Sequence, residues 1–342
     1  MRPNQNRQTL DSRMETTDIA VIGAGPCGIA VGAAARKAGA RALLFDRGCI
    51  TNSIVGYPYY MRFFSTSDRL QIAGIPWAIP EKNPSRREAL VYYRGVVEHF
   101  GMEVRQYQDV LEVTGRQGAF HLRTRKMSGE EEDWQARFLV VATGGFHAPN
   151  LLEVPGENLP KVLHYYAEPY PFYDQDVLIV GGSNSAVESA LELFRAGARV
   201  TLVHFLDWID KGVKAWVVPD ITNRFENGEI GVFWSHRVAE ITPDTVKVRG
   251  EDSGRTTEIK NDWVLAMTGW RSDPVHLQQL GVEIDGETGI PQHDPATMET
   301  NVPGVFIAGV LAAGNNANKI FIENGRAHGG QILEALTRED RL

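Results

Sequence analysis

The sequence predicts an α/β protein built on two Rossmann-like dinucleotide-binding domains, and three observations carry that expectation. Residues 18–46 (DIAVIGAGPCGIAVGAAARKAGARALLFD) and 176–204 (DVLIVGGSNSAVESALELFRAGARVTLVH) align without a gap at a constant offset of 158. Each stretch starts as a short β-rich apolar run, passes a glycine turn into an alanine- and leucine-rich helical stretch, and returns through AGAR to a second apolar run, the βαβ pattern. A chain of 342 residues also exceeds one ordinary core and fits two domains.

Composition narrows the class. Hydrophobic residues make up 43% and charged residues 23%, ordinary for a globular chain. No apolar run reaches the 18 residues of a membrane span. Residues 1–16 are polar, without the apolar core of a secretion signal, and are expected to be a disordered tail on a cytoplasmic protein. The net charge of −8, with basic residues spread along the chain, argues against nucleic acid as a partner. Two cysteines, Cys27 and Cys49, exclude a disulfide framework, and no His/Cys spacing suits zinc, so no metal site is expected.

The first loop reads Gly23-Ala24-Gly25-Pro26-Cys27-Gly28. Gly23 allows the strand-to-helix turn, Gly25 lets backbone approach a pyrophosphate, and Gly28 lets helix and strand pack closely, while the helix start offers unpaired N–H groups to phosphate. Asp46, beside Arg47, ends the second strand, where an acid accepts ribose hydroxyls. The second loop, Gly181-Gly182-Ser183-Asn184-Ser185, has Ser183 at the central glycine position and Ala186 at the third. His204 stands at the acid position, so no carboxylate repels a 2′-phosphate there, and Lys211 or Lys214 is a candidate countercharge; both also suit a solvated face. RFLVVATGG (137–145) and DWVLAMTGW (262–270) each read as the last strand of a domain, with Thr143-Gly144 turning the first where backbone can pass a nucleotide.

Cys27 has two readings. A helix N-terminus acidifies a thiol, and thiolate is the attacking species in disulfide exchange; a nearby pyrophosphate opposes this, and a buried free cysteine also behaves as a small hydrophobe. Cys49, just past Asp46, reads as structural.

With these loops, the ATG turns, and NVPGVFIAG at 301–309, the chain resembles the two-domain flavoprotein reductases of thioredoxin-reductase type, and within them the YpdA family of bacillithiol disulfide reductases. The stretches that carry the resemblance are GAGPCG, MRFFSTSDRLQIAGIPW (61–77), GGSNSAVE (181–188), KAWVVPDITNRFENGEI (214–230) and AGVLAAGNNANKIFIENGRAHG (308–329). The resemblance implies an FAD-binding domain of residues 17–150 and 272–342, with an NAD(P)H-binding domain of residues 151–271 inserted in it. It implies reduction of bacillithiol disulfide by NADPH through FAD, a bacilliredoxin as partner, a homo-oligomer, and Cys27 as the redox cysteine. Gly309, Lys319 and Ile320 are implied near the flavin, where a helix beginning around Asn318 would aim its positive end at the reduced ring.

Two features depart from thioredoxin reductase. No CxxC exists, so the dithiol that serves a protein substrate is missing. Val310 replaces the acid that follows AG in the final flavin motif, and Phe205 replaces the second residue of the HRR-like NADPH motif. Phe63, Phe64 and Trp77 are candidates to line the flavin, and Trp216 and Arg224 to face nicotinamide or substrate. The rival readings are a flavin monooxygenase, whose FxGxxxH fingerprint fails because Asn158 and Pro160 occupy the positions before His164, a ferredoxin-linked reductase, and a non-enzymatic flavin redox sensor.

Overall fold

The computed structural model describes residues 15–146, 148–316 and 319–342. The first repeat folds as β1 (Glu15–Ile22), α1 (Pro26–Lys37) and β2 (Ala42–Asp46). Parallel pairing of β1 with β2 requires a crossover, which α1 provides. Pro26 opens α1 where a missing N–H costs nothing, and Arg36 and Lys37 close it at the end that favours positive charge. After the short helices α2 (Asn52–Val55) and α3 (Ser67–Leu70), α4 (Arg86–His99) starts from a reciprocal cap between Ser85 and Glu88. It leads to β3 (Glu103–Gln106), parallel to β2. Then β4 (Gln108–Arg116), β5 (Ala119–Lys126) and β6 (Glu131–Val141) form an antiparallel meander whose last strand lies parallel to β1.

The chain passes through β7 (Ala148–Pro149) and β8 (Val162–Leu163) to the second repeat: β9 (Asp176–Val180), α5 (Asn184–Arg195) and β10 (Arg199–His204). Helix α6 (Val218–Glu226) leads to β11 (Gly231–Trp234). Strands β12 (His236–Ile241), β13 (Thr245–Gly250) and β14 (Thr256–Lys260) form a separate antiparallel sheet, and β15 (Trp263–Ala266) returns beside β9. The second parallel sheet therefore has the order β11-β10-β9-β15-β8. β16 (Trp270–Arg271) pairs with β7 where the chain passes back.

The remaining elements, α7 (Val275–Gln279), β17 (Val305–Ile307), α8 (Ile322–Gly325) and α9 (His328–Arg338), rejoin the first sheet. β17 adds parallel to the C-terminal half of β6. Helix α9 crosses α1 backbone to backbone, because Gly329 leaves no room for more: a Cβ there would lie 2.6 Å from the Ala30 carbonyl. Small residues in both helices thus set the closeness of that crossing.

Two expectations are corrected. Residues 1–14 lie outside the described residues, but Glu15 and Thr16, assigned to the tail, already pair with Trp134 and Gln135 in the sheet. The 137–145 stretch ends β6, yet β6 is not the last strand of its sheet, because β17 adds beyond it. Among the described residues no helix is long and apolar enough to cross a membrane.

Candidate functional site

One continuous cavity of about 2710 Å³ opens at the C-terminal ends of both parallel sheets, with wall residues from each. That is where open α/β sheets hold ligands. At the first sheet Gly23 has φ +111°, and a Cβ on it would lie 2.4 Å from the Ala142 carbonyl oxygen, so the turn demands glycine. Gly25 caps α1 without any side-chain acceptor, and the space where its Cβ would stand is open for 4 Å. The first-turn N–H groups of α1 therefore face the cavity, and the cradle fits a pyrophosphate. The Thr143 hydroxyl is buried on the same wall with no hydrogen-bond partner, beside Gly144 at φ +79°.

Asp46 braces this loop. Its Oδ2 accepts from the Ala24 N–H at 2.9 Å and its Oδ1 from the Gly48 N–H at 2.8 Å. Burial lifts its carboxyl above the usual carboxylate range, against the pull of those two bonds. Arg47, Lys319 and Ile320 reach the same wall. The Gly309 N–H donates to His328 Nδ1 at 3.1 Å, an acceptor role that needs a neutral ring, and burial keeps His328 neutral by lowering its pKa.

Cys27 lies between two glycines: a Cβ on Gly309 or on Gly325 would come within 2.9 Å of its Sγ. Burial pushes its thiol up to about 12. The neighbouring Tyr57 phenol is raised too, by burial and then by Cys27. Cys49 is a free thiol elsewhere, as is Cys27, so no bridge joins them. Asn318, the expected start of a helix, lies outside the described residues; Lys319 precedes a helix that begins at Ile322 and spans one turn. So short a helix carries little macrodipole.

At the second sheet Gly181 has φ +139°, with a virtual Cβ 2.4 Å from the Met267 carbonyl oxygen. Ser183 caps α5 without a side-chain bond. Asn184 is on the cavity wall, and its side chain also pins the 212–214 loop: Oδ1 accepts from the Lys214 N–H at 3.0 Å and Nδ2 donates to the Gly212 carbonyl at 3.1 Å. Ser185 is on the wall, and one turn further Glu188 is pushed up to about 7 by burial and by Glu192, against the pull of Lys214. The Lys214 Nζ stands 5.1 Å from the Phe64 ring, bridging toward the first sheet.

His204 lines the cavity as a deeply buried ring. It is 3% exposed, and its ring lies under Gly182, where a Cβ would meet Cδ2 at 2.4 Å. Burial lowers its pKa and neither ring nitrogen has a well-aligned hydrogen bond, although Nε2 is 3.4 Å from the Asp210 carboxylate. Lys211 is exposed and off the wall. Of the aromatic candidates, Phe63, Phe64 and Trp216 are wall residues, whereas Trp77 stacks on Tyr92 at 4.2 Å in the core. Arg224 is tied to Asp220 and Glu229, away from the cavity.

Sequence reasoning missed Tyr57, Phe146 and Trp270, which form an aromatic chain along the cavity wall with centroid separations of 5.2 and 5.8 Å. It also missed the roles of Glu188 and Arg237 on the wall. Glu188 carried a signal, since it sits four residues after Asn184 on one face of a helix.

A model of the pyridine nucleotide-disulphide oxidoreductase family matches residues 20–309. The chain is 42% identical over 321 residues to bacilliredoxin reductase Bdr of Bacillus subtilis, covering 94% of this chain and 97% of that one. Among solved structures it superposes on bacillithiol disulfide reductase Bdr (YpdA) of Bacillus cereus with a TM-score of 0.92 at 41% identity, covering 95% of this chain and 100% of the other. The Staphylococcus aureus counterpart gives 0.90 at 39%, covering 95% and 99%.

Proposed function

We propose that this chain, which belongs to the pyridine nucleotide-disulphide oxidoreductase family, binds FAD at Gly23–Gly28 and NADPH at Gly181–Ser185 and reduces bacillithiol disulfide, with a bacilliredoxin as protein partner. Residues 17–150 and 272–342 form the flavin unit in this reading, and residues 151–271 the nicotinamide unit. A cytoplasmic homo-oligomer completes it. The observation that carries the reading is the shared cavity: two glycine loops at two helix N-termini open into one space, and its wall holds a single cysteine, Cys27, rather than a dithiol.

Bound flavin and nicotinamide supply the hydride and two-electron chemistry. The chain supplies placement. The α1 N–H groups and the Thr143 hydroxyl hold a pyrophosphate, Asp46 keeps the loop in shape, and Gly309, locked by His328, lets the backbone run close to Cys27. Tyr57, Phe146 and Trp270 give the cavity an apolar aromatic wall.

Cys27 keeps its proton on Sγ at neutral pH, because burial opposes the thiolate. That supports a wall role in the resting protein. Attack by Cys27 on the bound disulfide is the second reading, supported by its place on the wall at the start of α1. NADPH consumption with bacillithiol, glutathione and coenzyme A disulfides, with and without a bacilliredoxin, tests the function: turnover with none of them overturns it. The Cys27→Ala protein, checked for retained flavin colour, separates the two roles. Unchanged disulfide-dependent turnover rules out the nucleophile.

A further inference from the structure

We propose that Arg237 selects a 2′-phosphorylated nucleotide at the second glycine loop, with Phe205 holding its guanidinium in place. The proposal rests on the reading that Gly181–Ser185 binds a nicotinamide nucleotide. In such folds the residue ending the second strand of the unit decides how the adenosine ribose is met. Here that residue is His204, buried under Gly182 and held neutral, so the selecting charge has to come from elsewhere.

The next residue, Phe205, turns outward and is 45% exposed. The Arg237 guanidinium lies over its ring, 4.5 Å from the centroid. Arg237 belongs to β12, in a different sheet, but the Ser235 N–H donates to the Leu206 carbonyl at 2.8 Å and ties the start of β12 to the end of β10. Arg237 is thereby placed at the C-terminal edge of the parallel sheet, on the same cavity wall as Gly182, Ser183 and Phe205.

Glu251 engages the Arg237 Nε at 3.1 Å. A guanidinium carries five N–H donors in a planar fork, so this pair fixes the orientation and uses only one edge. Stacking on an aromatic face and bidentate recognition of phosphate are what arginine does and lysine does not. One group opposes the assignment: Asp210, whose N–H donates to the Gly182 carbonyl at 2.9 Å, brings a carboxylate to this wall that would suit an unphosphorylated ribose. The balance between Arg237 and Asp210 is therefore the thing to measure.

The probes are 2′,5′-ADP and 5′-AMP, titrated calorimetrically into the flavin-loaded protein, with no turnover and no disulfide present. The native protein is expected to bind 2′,5′-ADP at least about tenfold more tightly. Arg237→Gln should bring the ratio near one with 5′-AMP affinity unchanged, Arg237→Lys should fall between, and Phe205→Leu should lower the ratio while Phe205→Tyr preserves it. Lys211→Gln and Lys214→Gln should keep the native ratio. Equal binding of both probes by the native protein, a ratio that survives in Arg237→Gln, or a ratio lost in either lysine variant overturns the assignment. Should Arg237→Gln melt as an unfolded chain, the Arg237→Lys and Phe205 pairs decide alone. Failure to bind either probe sinks the nucleotide site itself, whereas failure to reduce any disulfide leaves this result standing.

Discussion

In a Cys49→Ser variant, Cys27 is the only thiol of the chain, and its reaction with a small aromatic disulfide measures its thiolate directly. Burial lifts the Cys27 thiol from 9.0 to about 12. That rise lowers the thiolate fraction at about pH 7.5 by roughly a thousandfold. The remaining thiolate is intrinsically more reactive, because nucleophilicity rises with basicity at a slope of ~0.4–0.5, which restores a little more than roughly one power of ten. The net expectation is a reaction about thirty- to sixtyfold slower than that of free cysteine. Its rate should climb tenfold per pH unit without levelling off below about pH 10, and added FAD should slow it further, since a pyrophosphate near Sγ disfavours a second negative charge. Stopped-flow release of the aromatic thiol reads both quantities. A plateau at or below about pH 8, or a rate at neutral pH matching free cysteine, would refute the desolvation argument and favour Cys27 as the attacking group.

Gly23→Ala and Gly25→Ala form a discriminating pair. The first meets the Ala142 carbonyl at 2.4 Å with φ +111°, so it should unfold or lose about 3 kcal/mol or more in melts; the second enters open space and should melt normally while losing flavin absorbance. Glu188→Gln should stabilise the protein above neutral pH. With the native carboxyl raised from 4.5 to about 7, the protonated form's advantage is complete below the lower value and is lost as pH rises through the upper one. The native protein should therefore lose stability relative to the variant across that window, a difference of about 1–2 kcal/mol after discounting for partial exposure. Arg341→Ala should lower the melting temperature at a cost of about 1–3 kcal/mol, because it strips the partner from Glu299, whose carboxylate it holds at 2.6 Å and below the usual range.

What the sequence revealed follows from how local each constraint is. The turns at Gly23 and Gly181 are fixed by backbone conformation within a few residues, so the letters announce them. Asp46 closes on Ala24 and Gly48 inside the same βαβ unit and is equally visible. His204 shows the limit: its position was legible, but its direction depends on the space that Gly182 leaves, and the ring fills that space instead of facing outward. Trp77 shows another. An aromatic-rich segment announces a cluster, yet only the later arrival of Tyr92 on α4 decides that Trp77 stacks in the core while Phe63 and Phe64 reach the cavity. Arg237 and Trp270 come to the wall through pairings between distant strands, which no short window encodes.

The two repeats share a backbone plan but are braced differently, and the difference bears on what each holds. In the first, a carboxylate at the end of the second strand takes two backbone N–H groups and stiffens the glycine loop from below. In the second, that place holds a neutral imidazole with no well-aligned hydrogen bond, and the loop is held from the side instead, by the Asp210 N–H on the Gly182 carbonyl and by Asn184 on the 212–214 loop. A loop braced by its own unit gains stiffness from the fold core, whereas one braced by a surface loop shares that loop's lower stability. The first arrangement suits a group retained through many turnovers and the second a nucleotide that enters and leaves in each. If so, amide hydrogen exchange at Gly182 and Ser183 should be faster than at Gly23 and Ala24 and should slow on adding 2′,5′-ADP; equal protection at the two loops would remove this distinction.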